Sequence, residues 1–195
     1  MIISQKKLKT GDTYIKYYQQ IPVKKLRLST DSYKLLWDLH PEEYPKIKIF
    51  NRDINTPRWF QNYGHTYRFS NTNHYALPVP EMLQPYLDYV NIREPKFNYN
   101  GILINWYKDG GHYIGRHRDN ERDLISDAPI YCFSFGQERR FIIDRPPDEK
   151  YEYRLPNNSL IIMGGECQKY YKHSIPKTNK ECTSRISITI RAFNN

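Results

Sequence analysis

The sequence has few cysteines and no long apolar run. Its three cysteines, Cys132, Cys167 and Cys182, form no CxxC motif and cannot all pair with one another. This usage argues against a disulfide-stabilised secreted protein and favours a reducing compartment. The first residues, MIISQKK, lack the apolar stretch of a signal peptide, and no run reaches membrane-spanning length. We therefore expect an intracellular protein, nuclear or cytoplasmic, that is neither secreted nor membrane-bound.

Acidic residues are also in deficit. Lys and Arg total 30 against 21 Asp and Glu, so the 195-residue chain has a formal net charge of +9. A basic surface is typical of proteins that bind polyanions, nucleic acid first among them, although a high isoelectric point also favours solubility. Aromatic residues are abundant, with 18 tyrosines. Such rings form core contacts and, where exposed, surfaces on which bases stack.

The chain is long enough for one domain with its own core and shows no internal repeat. Residues 1–28 are basic with scattered aromatic residues and are predicted to form an N-terminal arm. Residues 29–195 are predicted to form a single domain. Within it, residues 29–100 carry the helices and residues 101–195 carry most of the strands.

Two helices are predicted in the first half. One begins at the capping segment Ser29-Thr30-Asp31 and ends before Pro41, and the other opens at Pro80. Their apolar residues recur at helical spacing, at Tyr33, Leu35, Leu36 and Leu39 in the first helix and at Leu83, Leu87 and Val90 in the second.

Downstream, short apolar runs between Gly, Pro and Asn-rich turns predict strands at 101–107, 129–135, 139–144, 159–163 and 185–193. Helices followed by many short strands favour an α+β fold that is mainly β, with helices packed on a β-sandwich or jelly roll. In the last run, Arg185, Ser187, Thr189 and Arg191 share one face and three isoleucines share the other. That polar face would ordinarily meet solvent, but in a barrel that holds a polar ligand it lines the interior.

His117 and Asp119 are the first residues that suggest chemistry. Two residues apart on an extended segment, their side chains project to the same side and can reach one metal ion. Six histidines produce an HxD motif by chance about a third of the time at typical residue usage. Taken alone, the pair is better explained as a surface hydrogen bond. A non-haem iron site needs a distant third ligand, and His173 is the candidate.

Two arginines strengthen this interpretation. Arg185 and Arg191 lie six residues apart on one strand face, so their Cα atoms are about 20 Å apart at about 3.3 Å per residue. If both guanidinium groups lean inward, the gap between them is about as long as a five-carbon dicarboxylate, and their forked donors suit carboxylates. Asn105 and Tyr107 share a face of their own strand and would add neutral hydrogen bonds to the same ligand.

The order N-x-Y, H-x-D, a late His and then R-x5-R resembles the signature of the AlkB family. NWYKDGGHYIGRHRDNERDL, PIYCFSFGQERRF and YYKHSIPK are similar to the DNA-repair branch of eukaryotic AlkB homologues, and the similarity spans residues 35–193. The resemblance implies a double-stranded β-helix, or jelly roll, as the catalytic core over 101–195. It also implies a nucleotide-recognition lid within residues 29–100.

The resemblance further implies the site and its reaction. His117, Asp119 and His173 would ligate Fe(II), and 2-oxoglutarate would be bound by a second set: Asn105, Tyr107, Arg185, Ser187, Thr189 and Arg191. With O2, and ascorbate as supporting reductant, a monomeric enzyme would demethylate bases such as 1-methyladenine and 3-methylcytosine, releasing formaldehyde, succinate and CO2. Alkylated DNA is the favoured substrate. The alternatives are the same chemistry on RNA bases or a protein side chain, and a nucleic-acid-binding module with a dead site.

The predicted substrate residues also come from the resemblance. Tyr67 and Phe69 in GHTYRFS resemble lid residues that stack on a flipped base, and Glu121 resembles a pocket carboxylate that accepts from an exocyclic amine. Ordinary strand packing and a solvated charge are the respective alternatives. Arg58 and Arg139 complete this set.

Phe50 resembles a hydrophobic wedge that fills the gap left by a flipped base in duplex DNA. Lys46, Lys48 and Arg52 flank it and would offset the unstacking energy. An edge strand with Phe50 in the core is the alternative. The chain departs from its relatives at two positions, which argues against transferring a lesion preference: Arg140 stands where several carry Asp, and Lys172 stands where close ones carry an aromatic residue.

Overall fold

The computed structural model describes residues 4–50, 52–69 and 72–194. Its helices are α1 Thr30–Trp37, α2 Gln84–Arg93 and α3 Cys167–Tyr170, with short 3-10 turns at Lys24–Leu26 and Glu81–Leu83. Its strands are β1 Ser4–Lys7, β2 Thr13–Tyr18, β3 Lys46–Ile49, β4 Arg52–Asn55, β5 Trp59–Tyr63, β6 Tyr67–Phe69, β7 Thr72–His74, β8 Ala76–Leu77, β9 Tyr99–Tyr107, β10 Ile114–His117, β11 Ile130–Gly136, β12 Arg139–Arg145, β13 Glu149–Leu155, β14 Ser159–Gly165, β15 Lys172–Ile175 and β16 Arg185–Ala192. None of the helices in these ranges is long and apolar enough to cross a membrane.

Two sheets form the body of the fold. The larger has eight strands in the order β1-β2-β14-β11-β16-β9-β5-β8, and the smaller has four in the order β10-β15-β12-β13. All of their pairings are antiparallel except that of β5 with β8. Two hairpins, β3-β4 and β6-β7, stand apart from both sheets. The mainly β jelly-roll architecture that the sequence predicted is confirmed.

The larger sheet is covered on both faces. On one face, Leu36 of α1 and Leu87 and Val90 of α2 join a core cluster with apolar side chains of β9, β11 and β16. On the other face, side chains of β9, β11 and β14 pack in a second cluster with side chains of the smaller sheet, among them Phe141 and Ile143. This second cluster therefore fills part of the space between the two sheets.

Strand β16 shows how this layering decides the direction of its side chains. Ile186, Ile188 and Ile190 belong to the cluster on the helix side, so the alternating polar residues project between the two sheets. Every residue of the strand is buried. The polar face, for which solvent and interior were both open on the pattern alone, therefore lies in the interior.

Both predicted helices exist, with different details. The hydroxyl of Ser29 accepts the backbone N–H of Ser32 and caps α1. The predicted apolar face of α1 was partly wrong, because Leu36 is buried whereas Leu35 and Leu39 are 64% and 40% exposed. The predicted start at Pro80 is corrected as well: a 3-10 turn follows it, and α2 begins at Gln84.

The predicted N-terminal arm is instead part of the larger sheet. Strand β2 pairs with β14 along its whole length, and Ile15 is fully buried between the two sheets. Ile21 and Leu26 are buried in the cluster on the helix side. Alternation of buried and partly exposed side chains in 13–18 supports a sheet strand, which the high content of lysine obscured in the sequence.

Candidate active site

Antiparallel pairing of β10 with β15 brings the two predicted histidine ligands together. His117, the last residue of β10, stands opposite His173, and Asp119 follows two residues later. One ligand atom from each residue lies within 4.8 Å of the other two. Asp119 Oδ1 lies 3.6 Å from His117 Nε2 and 3.9 Å from His173 Nε2. Two imidazoles and one carboxylate whose ligand atoms cluster in this way form a facial triad suited to a divalent iron ion.

The protonation states of the triad suit a cation. Burial lowers the pKa of His117, and burial together with the proximity of His117 lowers the pKa of His173 to about 3. Burial raises the pKa of Asp119, but the Arg191 guanidinium and the two histidines outweigh it, so the net pKa is lowered. Neutral imidazoles and an ionised carboxylate are the forms that bind metal.

Neighbouring groups orient the three side chains. His117 Nδ1 donates to the carbonyl of Gly115 at 2.9 Å, which leaves Nε2 available as the ligand atom. Phe141 stacks beside His173 with ring centroids 5.6 Å apart. The backbone N–H of Asp119 donates to Gln168 Oε1 at 3.0 Å and holds the turn after β10. Sequence reasoning missed Gln168, which carries no motif.

A polar cavity extends from the triad between the sheets. It is lined by the triad and by all six residues predicted to bind 2-oxoglutarate, Asn105, Tyr107, Arg185, Ser187, Thr189 and Arg191, with further walls from Cys132, Phe141 and Met163. The prediction that these side chains meet in one place therefore agrees with their positions. Their roles toward the ligand stay predictions.

Arg185 fits an anionic ligand at one end of this cavity. Its side chain is 1% exposed and packs over the Tyr107 ring, 4.9 Å from the centroid. Nη2 donates to Ser134 Oγ at 2.9 Å, whereas Nε and Nη1 have no hydrogen-bond acceptor within the described residues. A buried cation with two unused donors is unfavourable unless a carboxylate or similar anion binds it. The two unused donors of the Arg185 guanidinium therefore fit one carboxylate of a diacid ligand.

A second cavity shares His117 and Asp119 of the triad with the first. Its walls are Arg58, Phe60, Leu103, Ile114 and Glu121, with His117, Asp119 and Arg191. Burial raises the pKa of Glu121, and Arg191, 3.5 Å away, opposes the shift. Glu121 Oε2 is buried and accepts no hydrogen bond from the part of the chain described. Arg58 Nε donates to Asn105 Oδ1 at 2.6 Å and so links this cavity to the polar one.

The other predicted substrate residues have different outcomes. Arg139 does not line the cavities at the triad, and its guanidinium donates to the carbonyls of Asp109, His112 and Pro176 at 2.7–3.0 Å. Its predicted contact with substrate stays a prediction. The side chains of Tyr67 and Phe69 lie outside the described part of the structure.

Phe50 occupies the turn between β3 and β4, where it is 97% exposed with φ at 48°. The alternative that placed Phe50 in the core is therefore wrong. Of the two departures from the relatives, Arg140 forms an ion pair with Glu152 at 2.7 Å, and neither it nor Lys172 lines a cavity at the triad.

Comparison with known proteins gives consistent matches. The family described as the 2OG-Fe(II) oxygenase superfamily matches residues 24–191. DNA oxidative demethylase ALKBH2 of Homo sapiens is 32% identical over 159 residues, which cover 75% of this chain and 60% of the relative. The protein of the same name from Bos taurus is 31% identical over 158 residues, which cover 75% of this chain and 56% of the relative. Alpha-ketoglutarate-dependent dioxygenase alkB homolog 3 of Mus musculus is 28% identical over 145 residues, 68% of this chain and 49% of the relative.

The matched region thus spans about half to three fifths of these relatives. Among solved structures, OsALKBH1 superposes with a TM-score of 0.60 at 15% sequence identity, over 97% of this chain and 100% of that one. At this level of identity, the superposition supports the fold alone.

Proposed function

Because the chain belongs to the 2OG-Fe(II) oxygenase superfamily, we propose that it is an AlkB-type dioxygenase that oxidatively demethylates N-alkylated bases in DNA. Bases such as 1-methyladenine and 3-methylcytosine are restored directly, with release of formaldehyde, succinate and CO2. The observation that carries the proposal is one cavity lined both by the His117–Asp119–His173 triad and by Arg185, a buried arginine with two donors unused within the described residues. Similarity to DNA oxidative demethylases supports nucleic acid as the substrate class.

Bound Fe(II), with 2-oxoglutarate and O2, supplies the chemistry that oxidises an N-methyl group. His117, Asp119 and His173 would hold the metal. Arg185 would bind one carboxylate of 2-oxoglutarate with its two unused donors, and Tyr107 lies beneath that guanidinium.

The second cavity would take the damaged base. Glu121 offers a buried carboxylate oxygen that has no hydrogen-bond partner among the described residues and would accept from an exocyclic amine. Phe60 and Ile114 give the same cavity apolar walls against which a ring packs. A base can reach this depth only outside the duplex stack, so an exposed Phe50 flanked by Lys46 and Lys48 supports its role as the wedge.

Mass spectrometry of methylated oligonucleotides tests the function. A panel of DNA and RNA strands, each with one N-methylated base, is incubated with the protein, iron, ascorbate and 2-oxoglutarate. We expect loss of 14 mass units (about the mass of one CH2) from DNA, matched by formaldehyde and succinate, and none with His117→Ala. Succinate without any change in DNA would contradict the proposal. A mass change confined to RNA or to a protein would assign the same chemistry to another substrate.

A further inference from the structure

A third cavity adjoins β5 and has Phe60 as one of its walls. Its volume is about 410 Å³, within the range of about 300–1,000 Å³ typical of small-molecule pockets. Its walls come from the segment before β3, from β5 and from the region of β7 and β8, and include Tyr44, Lys46, Phe60, Asn62, His74 and Tyr75. Of these, the demethylation proposed above uses only Phe60 and the hairpin residue Lys46.

Phe60 is a wall shared with the cavity proposed for the damaged base. Its buried ring packs against the ring of His74, with centroids 4.9 Å apart. Asn62 follows on the same face of β5, about 7 Å farther along the strand at about 3.3 Å per residue. Neighbouring nucleotides of one strand lie about 3.4 Å apart. Because the two cavities share Phe60, a strand with its damaged base beside the triad would bring a base one or two nucleotides away to the third cavity.

Asn62 lines this cavity and carries one unused hydrogen-bond acceptor. Its side chain is 1% exposed, and Nδ2 donates to the carbonyl of His74 at 3.3 Å, which fixes the orientation of the amide. Oδ1 accepts no hydrogen bond from any residue that the structure describes. A buried acceptor without a donor is unfavourable. The amino and ring N–H groups of nucleobases are donors that would satisfy it.

Aromatic rings provide the rest of the recognition surface. Tyr44 is held by stacking on Trp59, with centroids 4.8 Å apart and planes within 5°, and Tyr75 is 76% exposed. Bases stack on such rings with little sequence preference. Lys46 adds positive charge for a phosphate, and Glu43 adds a second acceptor for a base amine.

We propose that the third cavity binds an undamaged nucleobase that flanks the damaged one on the same strand, one or two nucleotides away. This subsite rests on the proposed action on nucleic acid and adds to it a contact with a neighbouring base. It would fix the register of the strand, so that the damaged base enters the site beside Glu121.

An abasic scan tests the subsite. Single-stranded oligonucleotides with one N-methylated base carry an abasic residue at one of the two positions on either side, and fluorescence anisotropy measures their Kd for protein loaded with Mn²⁺ and 2-oxoglutarate without oxygen. We expect one abasic position to weaken binding to the wild type about tenfold. Tyr75→Ala and Asn62→Leu should bind the intact strand about tenfold more weakly and be insensitive to that abasic position.

Leu77→Ala is the matched control, because Leu77 is 51% exposed on neighbouring β8 and does not line the cavity. It should keep the wild-type profile. Melting temperatures check the buried Asn62→Leu change, and Tyr75→Ala, at an exposed position, decides the test if Asn62→Leu misfolds. An abasic effect of equal size in wild type and Tyr75→Ala would overturn the subsite.

Formaldehyde release from the intact methylated strand is measured in parallel. If formaldehyde release were normal while no abasic position changed the Kd, the subsite would be overturned and the proposed demethylation would stand. If the protein neither bound the methylated strand nor released formaldehyde from it, both the subsite and the proposed demethylation would be overturned.

Discussion

Arg191 and Asp119 form a buried ion pair at the metal site. Nη2 of Arg191 lies 2.8 Å from Oδ2 of Asp119, while Oδ1 of the same carboxylate faces the two histidine rings. One oxygen is therefore directed to the metal position and the other to a guanidinium that is 4% exposed. A residue predicted from sequence only as a ligand of 2-oxoglutarate is also the group that orients the metal-binding carboxylate.

This pair separates the effects of substitutions in the triad. His117→Ala should abolish turnover with little loss of stability, because its side chain is 21% exposed and carries no buried ion pair with an arginine. Asp119→Ala should also abolish turnover but lower stability by about 3–5 kcal/mol, because it removes the buried carboxylate that lies 2.8 Å from Arg191. Thermal melting and succinate assays measure both, and Asp119→Ala with Arg191→Met should recover stability without activity. Equal melting temperatures of the two single variants would refute this role of the pair.

Arg185 should behave as a cation that is destabilising until 2-oxoglutarate binds. Arg185→Met removes a buried charge with two unused donors, so the variant should melt at or above the wild-type temperature in the absence of ligand. It should lose the rise in melting temperature that 2-oxoglutarate gives the wild type, since binding to the folded state alone stabilises it. The Michaelis constant should rise about 10- to 100-fold, as expected for loss of a charge-assisted contact of about 1.5–3 kcal/mol. Arg140→Met, at an exposed ion pair, is the control. An unchanged response to 2-oxoglutarate would contradict the assignment.

These arginines illustrate what could be predicted from the sequence. Spacing alone placed Arg185 and Arg191 on one face of a strand, and the resemblance supplied the ligand. The pattern could not decide between solvent and interior, because that choice depends on which sheet covers the strand. The triad was found through its motif, whereas the register that sets His117 opposite His173 follows from the pairing of two strands far apart in sequence.

Other parts were hidden for physical reasons. Strands such as β10 and β15 have four residues each, too few for a period of two to stand out. Arg139 carries the same charge as a residue that binds phosphate, and only tertiary structure shows its donors occupied by three carbonyls. Gln168 acts on the backbone of Asp119 through a single hydrogen bond, which leaves no trace in spacing.

Glu149 should make the stability of the fold sensitive to acid. Hydrogen bonds from Tyr171, then from Thr10, Tyr151 and Arg145, lower its pKa from 4.5 to about 2. A depressed pKa in the folded state stabilises the protein above the unfolded value, and this contribution is lost as pH falls from about 4.5 to about 2. Glu149→Gln should therefore melt below the wild type at pH 7, with the difference vanishing near pH 2. Glu42→Gln, at an exposed position, should follow the wild type throughout. A difference independent of pH would contradict this explanation.

Phe50 provides the test of duplex use. A bulky side chain that is 97% exposed, on a backbone with φ at 48°, gains nothing from packing and costs about 1–3 kcal/mol of backbone strain. Such a residue is expected where function requires it. Phe50→Gly should therefore keep or raise the melting temperature, since glycine adopts this φ without strain. Its activity on a methylated duplex should fall at least several-fold, because the duplex must be held open at a cost of a few kcal/mol.

The same lesion in a single strand requires no opening, so Phe50→Gly and Phe50→Ala should process it at nearly the wild-type rate. Ile92→Ala is the control for loss of an exposed apolar side chain, because Ile92 is 79% exposed on α2, away from the hairpin. It should leave both substrates unaffected. Formaldehyde release from matched single-stranded and duplex oligonucleotides measures the ratio. If the two Phe50 variants lost activity on both substrates by the same factor, the side chain would contact the strand in some other way and the wedge would be refuted.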